Sequence, residues 1–303
     1  MPAKALAKNV QDKKFNATEV TTKGDKIILP VGMSYAKAIE WLKRREVEEE
    51  REVAINEPVD CYPLDGANAL MLALKEKFGW AEAVPRPSFF GQNPPLMIGV
   101  EVAPGKTTQV IWGRMQIPNI HGFLETGYFK RDGRFIFAIN GITKQKHKAE
   151  IAAIADLTRK IAREHSIYRG KAIKVNLAEE DAEDFDPREN APKFIDTSRV
   201  NENAVVFSKS VMEQVIDSIF VPIELSEQCR QLNVPLKRGV LLAGPYGVGK
   251  SLCSLITAKK CVNSGWTFIY VNKRLEGNAL ATMDAMLSQQ ADLDLGVMPR
   301  RIG

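Results

Sequence analysis

The sequence is poor in the residues that metal and redox chemistry use. Only three histidines, His121, His147 and His165, occur in 303 residues, and none lies at metal-ligand spacing from another. They read as exposed or hydrogen-bonded structural groups. The four cysteines, Cys61, Cys229, Cys253 and Cys261, form no Cys-x-x-Cys pair. They read as reduced, mostly buried thiols, which fits a reducing, cytoplasmic compartment. No apolar run approaches the length of a membrane span. The basic N-terminus MPAKALAKNVQDKK lacks the apolar stretch of a secretion signal. No internal repeat or low-complexity block is visible. Neither sign of charge dominates: 42 basic and 37 acidic residues leave a net charge of +5. That permits an acidic partner without requiring one.

What is present is ordinary globular material. Hydrophobic residues make up 45% and charged residues 26% of the chain, and 303 residues suggest two domains. Residues 1–30 read as a flexible polar lead-in around the short run Ile27-Ile28-Leu29. Residues 34–52 read as a helix capped by Ser34, with Tyr35, Ala38, Ile39 and Leu42 on one face. Its end, EVEEERE, reads as a solvated charged face. A second helix is expected over 65–78, capped by Asp65, striped by Leu70, Leu74 and Phe78, and ended by Gly79. The Pro-rich passage 84–95 is expected to be a loop.

From Leu96 to Asn140 the periodicity becomes that of strands. LMIGVEVA and TQVIWGRMQI meet at Pro104-Gly105, and FLETGYF and RFIFAIN meet at Lys130-Arg131-Asp132-Gly133, a hairpin signal. Phe135, Phe137 and Ile139 alternate, so one face of that strand is expected to be buried. A helix over about 149–165, striped by Ile151, Ile154, Leu157 and Ile161, and a strand AIKVNL at 172–177 complete an α+β module on an antiparallel sheet. Trp41, Trp80, Trp112 and Trp266 read as packing anchors.

Residues 130–174 hold twelve Lys or Arg against four Asp or Glu. Tyr128, Phe129, Phe135, Phe137 and Tyr168 lie in or beside that stretch. This gives a second reading of the chain as a nucleic-acid-binding protein whose phosphate loop, described next, is vestigial. EEDAEDFDPRE at 179–189 follows with seven acids and reads as an exposed linker.

The strongest motif lies further on. Gly239-Val240-Leu241-Leu242-Ala243 is a short apolar run with the look of a buried strand. Gly244-Pro245-Tyr246-Gly247-Val248-Gly249-Lys250-Ser251 follows it, and then a helical pattern. Glycines let successive amides turn inward at a phosphate chain, a lysine neutralises its charge, and a hydroxyl at the head of a helix reaches Mg²⁺. The positive helix end faces the same anion. The spacing Gly-x-x-x-x-Gly-Lys-Ser meets each of these needs.

The stretch FVPIELSEQCRQLNVPLKRGVLLAGPYGVGKS resembles the AAA family of ATPases, in which an apolar helix leads into a segment like Pro235-Leu236-Lys237-Arg238-Gly239-Val240-Leu241-Leu242 before the loop. Tyr246, Val248 and Ser251 stand where Pro, Thr and Thr are common there, and none of these changes removes a phosphate contact. The resemblance covers about residues 205–290 and also takes in LCSLITAKKCVNSG and TFIYVN. It implies a partial AAA+ core, an α/β P-loop NTPase fold, preceded by the α+β domain with its antiparallel sheet. The implied division is 1–30 lead-in, 31–178 α+β domain for substrate or adaptor recognition, 179–204 acidic linker and 205–303 partial nucleotide-binding domain.

The resemblance further implies ATP and Mg²⁺ as cofactors. Gly244, Pro245, Tyr246, Gly247, Val248, Gly249 and Lys250 would hold phosphate, Ser251 the Mg²⁺, and the Leu252 amide the α-phosphate. Val205-Val206-Phe207 stands where the family's chain passes the adenine. Leu275-Glu276-Gly277-Asn278 falls at the family's pore loop but lacks its aromatic–apolar–Gly triplet. In the family an apolar strand ending in Asp-Glu supplies the metal-holding and water-orienting acids. The 52 residues after Ser251 contain Asp292 and Asp294 but no such strand. No catalytic residue is therefore identified. The expectation is an ATPase-type chain coupling nucleotide to macromolecular remodelling, hydrolysis-deficient as it stands. It would be a truncated, frameshifted or split form, or would be completed by another polypeptide or within a homo-oligomeric ring. GVLLA and TFIYV would then both lack sheet partners. A different P-loop enzyme, such as a kinase or helicase, is a third reading; Pro235-Leu236-Lys237-Arg238-Gly239-Val240-Leu241-Leu242 and the Gly244-Pro245 opening favour the AAA type over it. No membrane partner is expected.

Overall fold

The computed structural model describes residues 20–23, 26–30, 32–89, 91–175, 186–237 and 239–271. The chain divides into two compact units, Met1–Val53 with Lys144–Lys146, and Ala54–Thr143 with His147–Gly303.

In the first unit, strands β1 (Thr21–Lys23) and β2 (Lys26–Ile28) pair antiparallel, Thr21 opposite Ile28. Part of the expected irregular lead-in is thus a hairpin; residues 1–19 lie outside the described ones. Helix α1 (Tyr35–Glu49) begins where the sequence placed it, with the Ser34 Oγ accepting from the Lys37 amide at 3.4 Å. Ala38 is its buried residue, and the Arg45 guanidinium lies 5.4 Å from the centre of the Trp41 ring. The acidic run does more than face solvent, because the Glu50 carboxylate accepts from both Lys144 and Lys146. Those two ammonium groups pull the Glu50 carboxyl down to about 2.

The second unit takes in β3 (Glu52–Val59) from Ala54 onward, α2 (Pro63–Phe78), β4 (Glu82–Ala83), β5 (Arg86–Ser88), β6 (Gly91–Asn93), β7 (Met97–Ala103), β8 (Lys106–Ile111), β9 (Arg114–Gln116), β10 (Gly122–Arg131), β11 (Arg134–Lys144) as far as Thr143, and α3 (Lys148–Glu164). It continues with β12 (Ala172–Val175), β13 (Lys193–Phe194), α4 (Lys209–Val215), α5 (Val221–Glu224), α6 (Ser226–Gln231), α7 (Lys250–Asn263) and β14 (Phe268–Val271). Five strands form a sheet in the order β3-β11-β10-β9-β4. The β10–β11 hairpin closes on Asp132 (φ 52°) and Gly133 (φ 78°), with Arg131 opposite Arg134. Two left-handed residues make the turn whose twist suits adjoining strands. Phe137 and Ile139 are buried as expected, but so are Ile136 and Ala138, so this part of β11 is covered on both faces. The expected strand TQVIWGRMQI is broken at Gly113 (φ 146°) into β8 and β9. The Pro-rich passage contains the β5–β6 hairpin rather than loop alone.

Helix α2 starts two residues earlier than expected because Pro63 occupies its first turn, where a missing N–H costs nothing. Asp65 is therefore inside the first turn and does not cap it. It is buried, and its Oδ1 accepts from the Ile167 amide at 3.0 Å. Ile151, Ile154 and Ile161 of α3 are buried, as the stripe predicts. Trp80 departs from its expected role as an anchor, being 57% exposed.

A second, three-stranded sheet has the order β13-β12-β14. Here β14 runs parallel to β12, Ala172 opposite Phe268 and Val175 opposite Val271. TFIYV is therefore not unpaired: it ladders with the last strand of the segment read as the preceding domain. Gly239–Ala243, by contrast, is not a strand. A ladder needs a neighbour, and among the described residues none lies beside it.

Helices α4 and α5 are joined by a π-helical turn, Ile216–Phe220. Pro222 supplies the cause, because it has no N–H to give the carbonyl four residues back and its ring crowds that carbonyl. The wider turn relieves the clash without breaking the rod. Val215, Ile219, Phe220 and Ile223 then pack against Cys253, Ile256 and Cys261 of α7.

Candidate functional site

The site is built on the N-terminus of α7. Val240 and Leu242 pack onto the core between α4, α5 and α7, while Gly239, Leu241 and Ala243 face outward. This alternation anchors the approach to the loop through side chains alone. Gly244, Gly247 and Gly249 have φ of 150°, 84° and 89°. Residues with a Cβ avoid these values, so the turns depend on glycine. Gly249 caps α7, and its carbonyl accepts from the Cys253 amide at 2.8 Å. The amides of Lys250, Ser251 and Leu252 open the helix and have no carbonyl of their own helix to bond. Tyr246, 99% exposed, stands at the tip of the loop.

The Lys250 ammonium folds back into the loop. It donates to the carbonyls of Gly244 at 2.7 Å and Pro245 at 2.6 Å. A cation is thus already held against the backbone at the start of the loop. An anion entering there would meet the ammonium, the first-turn amides and the helix dipole together. Ser251 is exposed in the first turn of α7, one residue beyond Lys250. Among the described residues no group of three or more His, Cys, Asp or Glu could hold a metal ion. A metal here would rest on the Ser251 hydroxyl, the bound anion and water.

Phe207 closes one side. A side chain built on Gly249 would meet the Phe207 ring at 3.4 Å. Val205 and Phe207 pack against the helical core, whereas Val206 between them is 89% exposed. The three residues expected near adenine therefore divide: two anchor the segment and one is presented to solvent. On the other side of the approach run, Ser218, Pro235, Lys237, Gly239, Val240 and Leu241 line an open cleft of about 510 Å³. Sequence reasoning gave no hint of it, because it is made by the π turn and the unladdered segment together.

The thiols are placed as expected. Cys61, Cys253 and Cys261 are buried and Cys229 is partly exposed, all four free. Burial raises the Cys253 thiol and pushes Cys261 up to about 12. Both sit on α7 as packing groups, not as nucleophiles.

The basic stretch 130–174 is largely engaged within the fold. Arg131 and Arg134 reach Asp60 at 3.6 and 3.4 Å, and Arg159 pairs with Glu57 at 2.6 Å and Asp156 at 2.7 Å. Arg169 donates to the carbonyls of Arg163 and Glu164 at the end of α3. Phe137 and Tyr168 are core residues and offer no face for stacking on a base. Tyr128 and Phe129 remain at the surface, Tyr128 stacked on Trp112 with ring centres 6.3 Å apart. Leu275 to Asn278, Asp292 and Asp294 lie outside the described residues.

Among the described residues no helix is long and apolar enough to cross a membrane. Comparison with protein-family models gives no match, and neither does comparison with curated proteins.

Proposed function

We propose that the chain binds ATP with Mg²⁺ through Gly244–Leu252 and is an ATPase of the AAA type or the front part of one. The observation that carries this reading is the loop itself: three positive-φ glycines around the Lys250 ammonium, at the head of the 14-residue helix α7. In this reading the phosphates replace the Gly244 and Pro245 carbonyls as partners of Lys250. The amides of the loop and of Leu252 hold the phosphate oxygens, Ser251 holds the metal, and the segment of Val205 to Phe207 borders the base. The Mg²⁺ supplies charge neutralisation between phosphate oxygens.

Hydrolysis is a separate matter. No residue of the described site is assigned the role of orienting water. The unladdered backbone of Gly239–Ala243 supports completion of the fold by further strands, from another polypeptide or a ring of copies. Remodelling of a macromolecular substrate follows from the same resemblance, and the free cysteines fit a cytoplasmic location.

The test is titration with ATP and Mg²⁺, wild type against Lys250→Ala. Wild type binds and the variant loses at least tenfold in affinity, the scale of one charge-assisted phosphate contact. Equal affinities would refute the reading.

A further inference from the structure

The segment before α4 is tied to α7 at both ends. At one end the Lys259 Nζ donates to the Val200 carbonyl at 2.8 Å and lies 3.6 Å from Glu202 Oε1. Lys260 Nζ stands 3.1 Å from the other Glu202 oxygen and 2.5 Å from Glu224. At the other end Phe207 rests on Gly249. Lys259 and Lys260 belong to the last turns of α7 and Gly249 to its first, so residues 200–207 run antiparallel along the helix. Eleven helical residues span about 16 Å. Seven residues of strap reach at most about 25 Å, and a 3₁₀ turn at Glu202–Ala204 uses part of that. The strap is thus held at both ends, and a clamp at Glu202 limits where Phe207 and Val206 lie.

The clamp is not a passing surface contact. The Lys260 side chain is 15% exposed, and its ammonium lies 4.9 Å from the centre of the Phe220 ring. Lys260 beside Glu202 holds that carboxyl below the usual range. One carboxylate thus engages adjacent lysines; Lys259 also holds the Val200 carbonyl of the same strap, and Lys260 also holds Glu224 of α5.

We infer that Glu202, clamped by Lys259 and Lys260, is a positioning residue for the base end of the nucleotide site: it sets the strap 200–207 against the loop and so controls how tightly a nucleoside, as distinct from bare phosphate, is held. The inference rests on the proposed phosphate loop. It adds a clamp seven and eight residues beyond Leu252 on α7, touching neither phosphate nor metal.

Two ligands separate the parts. Inorganic tripolyphosphate with Mg²⁺ reads the loop alone, and ATP with Mg²⁺ reads loop and strap together. In isothermal titration Glu202→Gln weakens ATP roughly fivefold, the size of one partly exposed ion pair, and leaves tripolyphosphate unchanged. Lys259→Met, which spares the Glu202–Lys260 pair, acts in the same direction. The double variant is no weaker than the sum of the singles, as for residues sharing one clamp. Circular dichroism verifies that each variant folds. Equal weakening of both ligands, or no weakening of ATP while wild type binds both, overturns the clamp and leaves the loop standing. Wild type that binds neither ligand overturns loop and clamp together.

Discussion

Asp65 permits a quantitative test of the α+β core. Its side chain is buried at the start of α2, Oδ1 takes the Ile167 amide, and Oδ2 has no partner among the described residues. Burial raises its pKa from 3.8 to about 6, against the opposing effect of the Ile167 and Ser166 hydrogen bonds. The folded value lies above the unfolded one, so the folded state binds the proton more tightly. The contribution to stability is complete below pH 3.8 and is lost as pH rises through about 6. The rise of about 2 units corresponds to about 3 kcal/mol, roughly two-thirds of it lost between pH 4.5 and 8. Asp65→Asn keeps an acceptor for the Ile167 amide and cannot ionise. It forfeits the favourable charge in the first helical turn, up to about 1 kcal/mol, and buries an amide N–H₂ without a partner, about 1 kcal/mol more. The variant should therefore gain about 1 kcal/mol over wild type at pH 8 and fall below it at pH 4.5. Urea denaturation at five pH values reads this directly as a crossing of the two stability curves. Glu50, Asp186, Asp196 and Glu202 have lowered values and impose the opposite slope at acid pH. They are common to both proteins and cancel in the difference. Parallel curves that never cross would refute the account of Asp65 as a buried, under-satisfied carboxylate.

Gly66→Ala tests how closely α2 approaches the sheet. Its new methyl would stand 2.3 Å from Phe137 Cγ, so a loss of roughly 3 kcal/mol or failure to fold is expected in thermal melts, and a change under 1 kcal/mol would refute the contact. Native thiol titration with an aromatic disulfide should find only Cys229 reacting quickly, the other three of the four thiols appearing after denaturation. The Lys250→Ala and Glu202→Gln titrations described above complete the set, one reading the loop and the other its strap.

Much of the α+β architecture was legible because it rests on local chemistry. Ser34 caps α1, Gly79 ends α2 at φ 81°, and Asp132-Gly133 turns β10 into β11. Each choice depends on a few neighbouring residues. The misses share another origin. The alternation in Phe135, Phe137 and Ile139 foretold one buried face, yet Ile136 and Ala138 are buried as well, because elements distant in sequence cover the strand's other side. Asp65 looked like a cap because its residue type suits one. Pro63 moved the helix start upstream and left the carboxylate to meet an amide 102 residues away. Glu50 looked like one more solvated charge, and its partners Lys144 and Lys146 lie 94 and 96 residues further on.

The loop shows the same division within one short stretch. Its glycines were legible because their positive φ values are a property of single residues. Its support was not, because Gly239–Ala243 had the composition of a buried strand and the structure gives it none of a strand's hydrogen bonds. Val240 and Leu242 still face the helical core and hold the run in place. Side-chain burial can thus fix the direction in which the chain enters the loop while its backbone polar groups stay unladdered. With no strand beside them among the described residues, those groups fall to water, which costs little at an edge and much in an interior. A strand added along Gly239–Ala243 would exchange water for a ladder and cover Leu241, 64% exposed, at the same time. The loop can therefore take its bend from glycine before any such strand arrives, whereas its rigidity depends on neighbours that the glycines cannot supply.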